Sequence, residues 1–234
     1  MPNITPEYQN ILAGLSTQEK HALYEKMAAF FSDNKRELFD RLVQYRTRHL
    51  CVVLEDIYQS HNASAVLRSC DCFGVQDVHV VEKHNAFNPA EDVAVGSSKW
   101  VDYYKHTDIL QTYDELHAKG YKIIATLPNE RDTMIADLDI RQPVALVFGT
   151  ELTGMSQEAI DQADGYVKIP MYGFTESFNI SVCAALSLFS ITERMRKDPG
   201  IQWQLSEDEQ ITLKLFWSMQ VVRDGRKVLE CLKG

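Results

Sequence analysis

Five short runs of β-branched and aliphatic residues, LCVVLE, VHVVE, YKIIATL, PVALVFG and GYVKIP, recur between residues 50 and 170, each separated from the next by a potential helical segment. Strands that are apolar on successive residues are suited to burial on both faces, and such strands joined by helices form mostly parallel sheets. The alternation predicts an α/β fold on a mostly parallel sheet. Gly and Pro punctuate the run ends, as at Pro128, Gly149 and Pro170. The loops after these strands are the candidate binding positions, because ligands of open α/β sheets sit beyond the strand C-termini.

The flanks have a different texture. Ser16 to Glu19 has the form of a helix capping box, followed by Leu23, Met27 and Phe30 at helical spacing. A second helix is predicted over 35–45, with Leu38, Leu42 and Tyr45 as its apolar stripe and Arg41 and Arg48 on another side. The segment from Asn179 to Ile191 is apolar nearly all round, which predicts burial on several sides or an interface. Ser206 to Glu209 offers a second capping box, heading one C-terminal helix with Leu215, Met219 and Val222 inward. The reading is a helical extension over 1–49, an α/β domain over 50–197 and a helical extension over 198–234.

A formal charge of -9 argues against a protein that coats nucleic acid without selectivity, since dense phosphate binding draws on a surplus of Lys and Arg. Cations nevertheless cluster at Lys35, Arg36, Arg41, Arg46, Arg48 and His49, at Arg194, Arg196 and Lys197, and at Arg223, Arg226 and Lys227. These are either solvated helix faces or a local phosphate-binding patch. The five cysteines are scattered without a CxxC pair, which suggests neither a zinc site nor a disulfide framework and suits a reducing cytoplasm; Cys70 and Cys72 are read as buried packing residues. No basic, apolar leader opens the chain, and the apolar stretch from Ile180 to Ile191 is far short of the roughly 20 residues that span a bilayer. No membrane partner and no metal are expected.

Three constellations carry candidate chemistry. In EDIYQSHNASAVLRSCDCFGV a strand ends at Glu55, Asn62 is placed to cap a helix, and Arg68 falls opposite the stripe of Ala63, Val66, Leu67 and Cys70. Arg68 there is either a plain surface arginine or a bidentate grip on a phosphate. In LVFGTELTGMS, Gly149, Glu151 and Gly154 follow a buried strand and precede a helix starting near Ser156. Glu151 reads equally as a helix-start acid or as a carboxylate that orients a ribose. In IPMYGFTESFNISVCAALSLF a strand leads through a Gly-containing loop to Ser177 and Asn179 at the start of the apolar helix. Simple capping accounts for both, and Ser177 lacks the GxSxG elbow of a hydrolase nucleophile.

In this order the three stretches resemble the motifs of the SpoU (TrmH) family of the SPOUT methyltransferases, over about Leu50 to Arg196. The match includes Asn62 with Ala65 and Arg68, then Gly149-x-Glu151-x-x-Gly154-x-Ser156, then Ile169-Pro170-Met171 leading to Ser177-Phe178-Asn179. The resemblance implies a C-terminal trefoil knot, a homodimer, and transfer of a methyl group from S-adenosylmethionine to a ribose 2'-hydroxyl of RNA, with a tRNA D-loop guanosine as the implied target. By motif position Thr126, Leu127, Gly149, Ile169, Met171 and Phe178 are expected to line the methyl-donor pocket, and Arg68, Asn62, Glu151, Ser177 and Asn179 to form the reaction site. A guanidinium holds its proton too tightly to be an ordinary base near neutral pH, so Arg68 is either an assisted base or a positioning group beside Glu151. Competing readings are a ribosomal-RNA or tRNA wobble-position ribose methyltransferase and a noncatalytic RNA-binding module. A dinucleotide-dependent oxidoreductase is opposed by the absence of GxGxxG after the first strand.

Overall fold

The five apolar runs form strands, and two further strands join them. In the computed structural model, which describes residues 10–87, 96–128, 133–150 and 153–233, the strands are β1 (Leu50–Glu55), β2 (Asp77–Val81), β3 (Asp102–His106), β4 (Lys122–Thr126), β5 (Thr133–Met134), β6 (Val144–Phe148) and β7 (Gly165–Lys168). They pair in parallel in the order β3-β2-β1-β6-β4-β7-β5. The described helices longer than one turn are α1 (Thr17–Ala28), α2 (Asp33–Val43), α3 (Ser60–Phe73), α4 (Ile109–Ala118), α5 (Gln157–Asp161), α6 (Ile180–Lys197), α7 (Glu207–Val221) and α8 (Gly225–Lys233). The sequence reading missed β3 because DYYKH is largely polar, which an edge strand with one neighbour tolerates; β5 has only two residues and no pattern to detect.

Contacts group the chain into two units, one of Arg48–Trp203 and one in which the segment ending at Thr47 joins the segment beginning at Gln204. In the sheet unit the strands bury both faces. Leu50, Val52 and Leu54 of β1 pack with Val66, Leu67 and Cys70 of α3 and with Ala184, Leu188 and Ile191 of α6. Cys51 and Val53 face the other way, onto Ile109, Tyr113 and Leu116 of α4 and Ala159 of α5. Each fully buried aliphatic side chain contributes roughly 1.5–3 kcal/mol of transfer free energy, so this two-sided core is the main source of the unit's stability. Two expectations change here. Cys70 is buried as expected, but Cys72 is exposed. The all-round apolar α6 buries one face and leaves Val182, Leu186 and Phe189 in solvent.

The second unit packs α1, α2, α7 and α8 around Tyr24, Phe39 and Trp217, with the Phe39 and Trp217 rings 5.3 Å apart. Both capping boxes form, at Ser16 with Glu19 and at Ser206 with Glu209. Lys20, nearly buried, is neutralised by Asp208 at 2.6 Å. The stripe expected on α2 is displaced by one position: Phe39 and Val43 face inward, while Leu42 and Tyr45 are exposed. One C-terminal helix was expected, and two are present. The chain turns between α7 and α8 with Asp224 at φ 52°, and Gly225 lies so close to the preceding turn that a Cβ would stand 2.4 Å from the Met219 carbonyl oxygen.

Four of the clustered arginines are absorbed into the fold. Arg46 is buried with its guanidinium 5.3 Å from the Trp217 ring centroid. Arg48 lies beyond the end of α2 and binds Asp77 and Asp102, so it does not share a helix face with the exposed Arg41. Arg194 donates to the Leu138 and Ile135 carbonyls, and Arg196 to the Phe73 carbonyl. A guanidinium withdrawn from water needs such partners, because an unpaired buried charge is costly.

On β2, the imidazole of His79 is buried, with Nδ1 2.9 Å from Nε2 of His106 and the ring stacked on Tyr104. Burial, with His106 adding to it, holds His79 well below the usual imidazole range. The folded protein therefore keeps His79 neutral where the unfolded chain, with an ordinary pKa of about 6.5, takes up a proton. Stability is complete above that value and falls as the pH drops below it, by up to about 1.4 kcal/mol per pH unit for one such group. Urea unfolding between pH 7.5 and 5 is expected to show this decline, and His79→Gln to flatten it. A second expectation concerns Gly225→Ala, which is predicted to destabilise by about 1–3 kcal/mol through overpacking, against less than about 0.5 kcal/mol for Gly173→Ala, where a Cβ meets nothing within 4 Å. Thermal unfolding of the two variants checks the difference.

Candidate active site

The C-terminal end of β1 organises the loops around it. The buried carboxylate of Glu55 accepts from the Ser156 backbone N–H at 2.9 Å and from Ser156 Oγ at 2.5 Å. Ser156 Oγ in turn accepts from the Ala159 N–H and caps α5, the helix start expected there. The next residue, Asp56, has a left-handed φ of 51° and takes the N–H groups of Lys83, His84 and Asn85 on one carboxylate oxygen. Burial opposes its ionisation, but the N–H donors of His84, Asn85 and Lys83 outweigh it and hold this carboxyl below its usual range. Two adjacent acids thus pin the loop after β6 and the loop after β2 to one strand end.

Asn62 does not cap α3 as expected. Gln59 occupies the N-cap, and Asn62 sits buried in the first turn, where its amide donates to Gln59 Oε1 at 2.9 Å. Its Oδ1 accepts from Nδ2 of Asn179 at 3.3 Å, a contact across 117 residues of chain. Asn179 is the N-cap of α6, with its own Oδ1 accepting from the Ser181 N–H at 2.8 Å and Ser181 Oγ at 2.5 Å. Capping, the plain reading of Asn179, and its meeting with Asn62 are therefore both present. Ser177 lies in the loop ahead of this cap.

Beside this junction is a cavity of about 210 Å³, open at the C-terminal ends of β4, β6 and β7. Thr126, Leu127, Gly149, Ile169, Met171 and Phe178 all line it, as does Ser177. Local geometry explains each placement. Thr126 Oγ1 donates to the Val147 carbonyl, and the Leu127 N–H continues the ladder to the Val167 carbonyl, so β4 presents its last residues between β6 and β7. After β6, Thr150 and Gly154 exchange two backbone hydrogen bonds of 3.0 Å and close a tight loop. Only glycine fits at position 149, because a Cβ there would come within 2.3 Å of the Met155 nitrogen. Glu151 lies outside the described residues.

The cavity also takes in residues that the sequence reading did not nominate, among them Ile135, Ile180 and Cys183. Ile180 and Cys183 belong to the apolar stretch that begins at Asn179 and were legible as such, whereas Ile135 follows the two-residue β5 and carries no local signal. Burial pushes the Cys183 thiol up to about 11, which suits an inert wall residue and not a nucleophile. Arg68 is not in the cavity wall. It is exposed on α3, in a shallow groove of about 340 Å³ lined by Ala65, Ser181, Val182 and Leu186. That groove meets the junction at Ser181, whose hydroxyl is held by Asn179. Among the described residues no group of three or more His, Cys, Asp and Glu side chains is disposed to hold a metal ion, and no helix is long and apolar enough to cross a membrane.

Comparison with known proteins places this arrangement. A model of the SpoU rRNA Methylase family matches residues 49–189. The chain is 42% identical over 198 residues to a tRNA (guanosine(18)-2'-O)-methyltransferase of Borreliella burgdorferi, covering 85% of this chain and 90% of the relative. It is 35% identical over 170 residues to a Thermus thermophilus protein of the same name, covering 73% and 87%. Its fold superposes on the crystal structure of the A. aeolicus TrmH/SpoU tRNA modifying enzyme with a TM-score of 0.73 at 28% identity, over 81% of this chain and 98% of the other. With the family model spanning the strand ends that build the cavity, and such relatives matched over most of their length, the chain belongs to the SpoU methylase family.

Proposed function

We propose that this protein transfers a methyl group from S-adenosylmethionine to a ribose 2'-hydroxyl of RNA, with guanosine-18 of tRNA as the target. The observation that carries the reading is the meeting of three distant segments at one place: the cavity at the ends of β4, β6 and β7, with the Asn62–Asn179 contact at its side. The target follows from the relatives named above. The walls suit the donor, since Leu127, Ile169, Met171 and Phe178 offer apolar contact for a flat heterocycle, and the tight turn at Gly149 brings backbone groups to the cavity edge. S-adenosylmethionine, when bound, supplies a methyl already activated by its sulfonium.

The chain's own work is alignment and proton handling. Asn62 and Asn179, each locked by a second hydrogen bond, hold the acceptor ribose at the cavity's side, and Ser177 shapes the loop between the two substrates. Glu151, two residues beyond Gly149 in the sequence, is assigned to orient the ribose or to influence its proton. Arg68 acts from the adjoining groove, either as an assisted base or by holding a substrate phosphate. The same reading includes the family's C-terminal trefoil knot, a cytoplasmic location and a homodimer. Val182, Ala185, Leu186 and Phe189 support the dimer, since their spacing puts an apolar stripe on the outer face of α6 with three of its four residues exposed. Arg41 and Arg223, exposed on the helical unit, are the proposed phosphate contacts.

Purified protein, labelled methyl donor and unmodified tRNA and ribosomal RNA provide the test. Label confined to tRNA at guanosine-18, in a linkage resistant to alkali, is the expected result; label at another site overturns the target, and no ribose label overturns the activity. Arg68→Ala is predicted to lower turnover by about 10²-fold or more while donor affinity, read by calorimetry, stays within a few-fold. Arg41→Glu is predicted to weaken tRNA binding and reduce the slope of log affinity against log salt by about one. An unchanged slope returns Arg41 to a solvated helix face.

A further inference from the structure

Three aromatic rings stand in solvent on the loops that lead into α3 and α6. Tyr172 and Phe174 are 95% and 109% exposed, on the loop whose Met171, Ser177 and Phe178 line the cavity wall, and Tyr58 is 69% exposed on the loop between β1 and α3. The helices that follow the two loops start beside each other, because the Asn62–Asn179 hydrogen bond joins the first turn of α3 to the cap of α6. Tyr58 and Phe178 each lie two residues ahead of their helix. Among the described residues none of the three solvent-exposed rings stacks on another ring or lies under a cation.

Rings so exposed at a site mark a surface that meets a partner. Two observations favour a nucleobase as that partner. First, the cavity is walled for the donor, so an acceptor nucleotide presents its 2'-hydroxyl from outside and its base remains where these rings stand. Second, the protein carries a charge of -9, and Arg46, Arg48, Arg194 and Arg196 are engaged within the fold. An acidic protein gains RNA affinity from contacts that do not depend on phosphate charge, and stacking on a π-face is such a contact. We infer that Tyr58, Tyr172 and Phe174 form a stacking surface for the bases of the RNA next to the methylated ribose. The inference rests on the function proposed above.

The test uses the full chain with a tRNA transcript and compares Tyr172→Leu/Phe174→Leu with Tyr172→Phe/Phe174→Trp. Leucine keeps apolar bulk and removes the π-face, so the first double variant is expected to raise the KM for tRNA about tenfold or more, with donor affinity, subunit mass and salt slope unchanged. The aromatic pair is expected to stay within about twofold of the parent. A parental KM in the leucine pair overturns the stacking surface. Loss of dimer mass overturns it in favour of an interface between copies, and loss of donor affinity overturns it in favour of a donor-site wall. If the parent protein methylates no RNA, the functional reading fails and the inference falls with it; if the parent is active and the leucine pair is equally active, the inference alone fails.

Discussion

The buried carboxylate of Glu55, holding the backbone and hydroxyl of Ser156, is the contact on which the arrangement of loops depends. A central parallel strand ends in open backbone, and the loops that follow its neighbours have no ladder to continue. Glu55 and Asp56 supply the missing partners side by side, one binding the start of α5 and the other the three N–H groups after β2. Because the acceptors are charged, each bond is stronger than a neutral one, and four of the donors are backbone groups whose position cannot relax by rotation of a side chain. Asp56 adopts a left-handed backbone conformation there, a strain the three hydrogen bonds over-determine.

From that anchored end the site extends in two directions. The tight loop at Gly149 and the last residues of β4 and β7 enclose the apolar cavity, and the Asn62–Asn179 contact sets the starts of α3 and α6 against one another. Each asparagine has a second partner, so their mutual orientation is held by four hydrogen bonds in all. Such preorganisation is what an alignment-dependent reaction asks of its scaffold. The same helices then leave an outer surface with Arg68 and the apolar stripe of α6, so that polar junction, cation and apolar stripe lie next to one another on α3 and α6.

The disposition of charge explains how an acidic chain serves as a scaffold for a polyanion. Arg46, Arg48, Arg194 and Arg196 are spent on carbonyls, carboxylates and a tryptophan ring inside the units. Arg41, Arg68, Arg223 and Arg226 are among the cations that stay exposed.

Much of this was legible in the chain. Burial on both faces favours apolar residues along a parallel strand, and β1, β6 and the centre of β4 carry that mark most fully. The capping boxes at Ser16 and Ser206 are local chemistry and form where they are written. Six of the residues that line the cavity were named through the resemblance to the SpoU family's motifs. The rest depends on contacts between residues far apart in the chain, which leave no local pattern: the edge strand β3, the inward turn of Phe39 and Val43, the two-helix C-terminus, and the placing of Asn62 in a helix turn opposite Asn179. The sequence alone determined which segments form the five apolar strands and which loops follow them, since both follow from side-chain burial and backbone freedom within a few residues. Strand order, the fate of each arginine and the exposure of Tyr58, Tyr172 and Phe174 were decided by tertiary structure, because each is a property of what packs alongside and not of the residue itself.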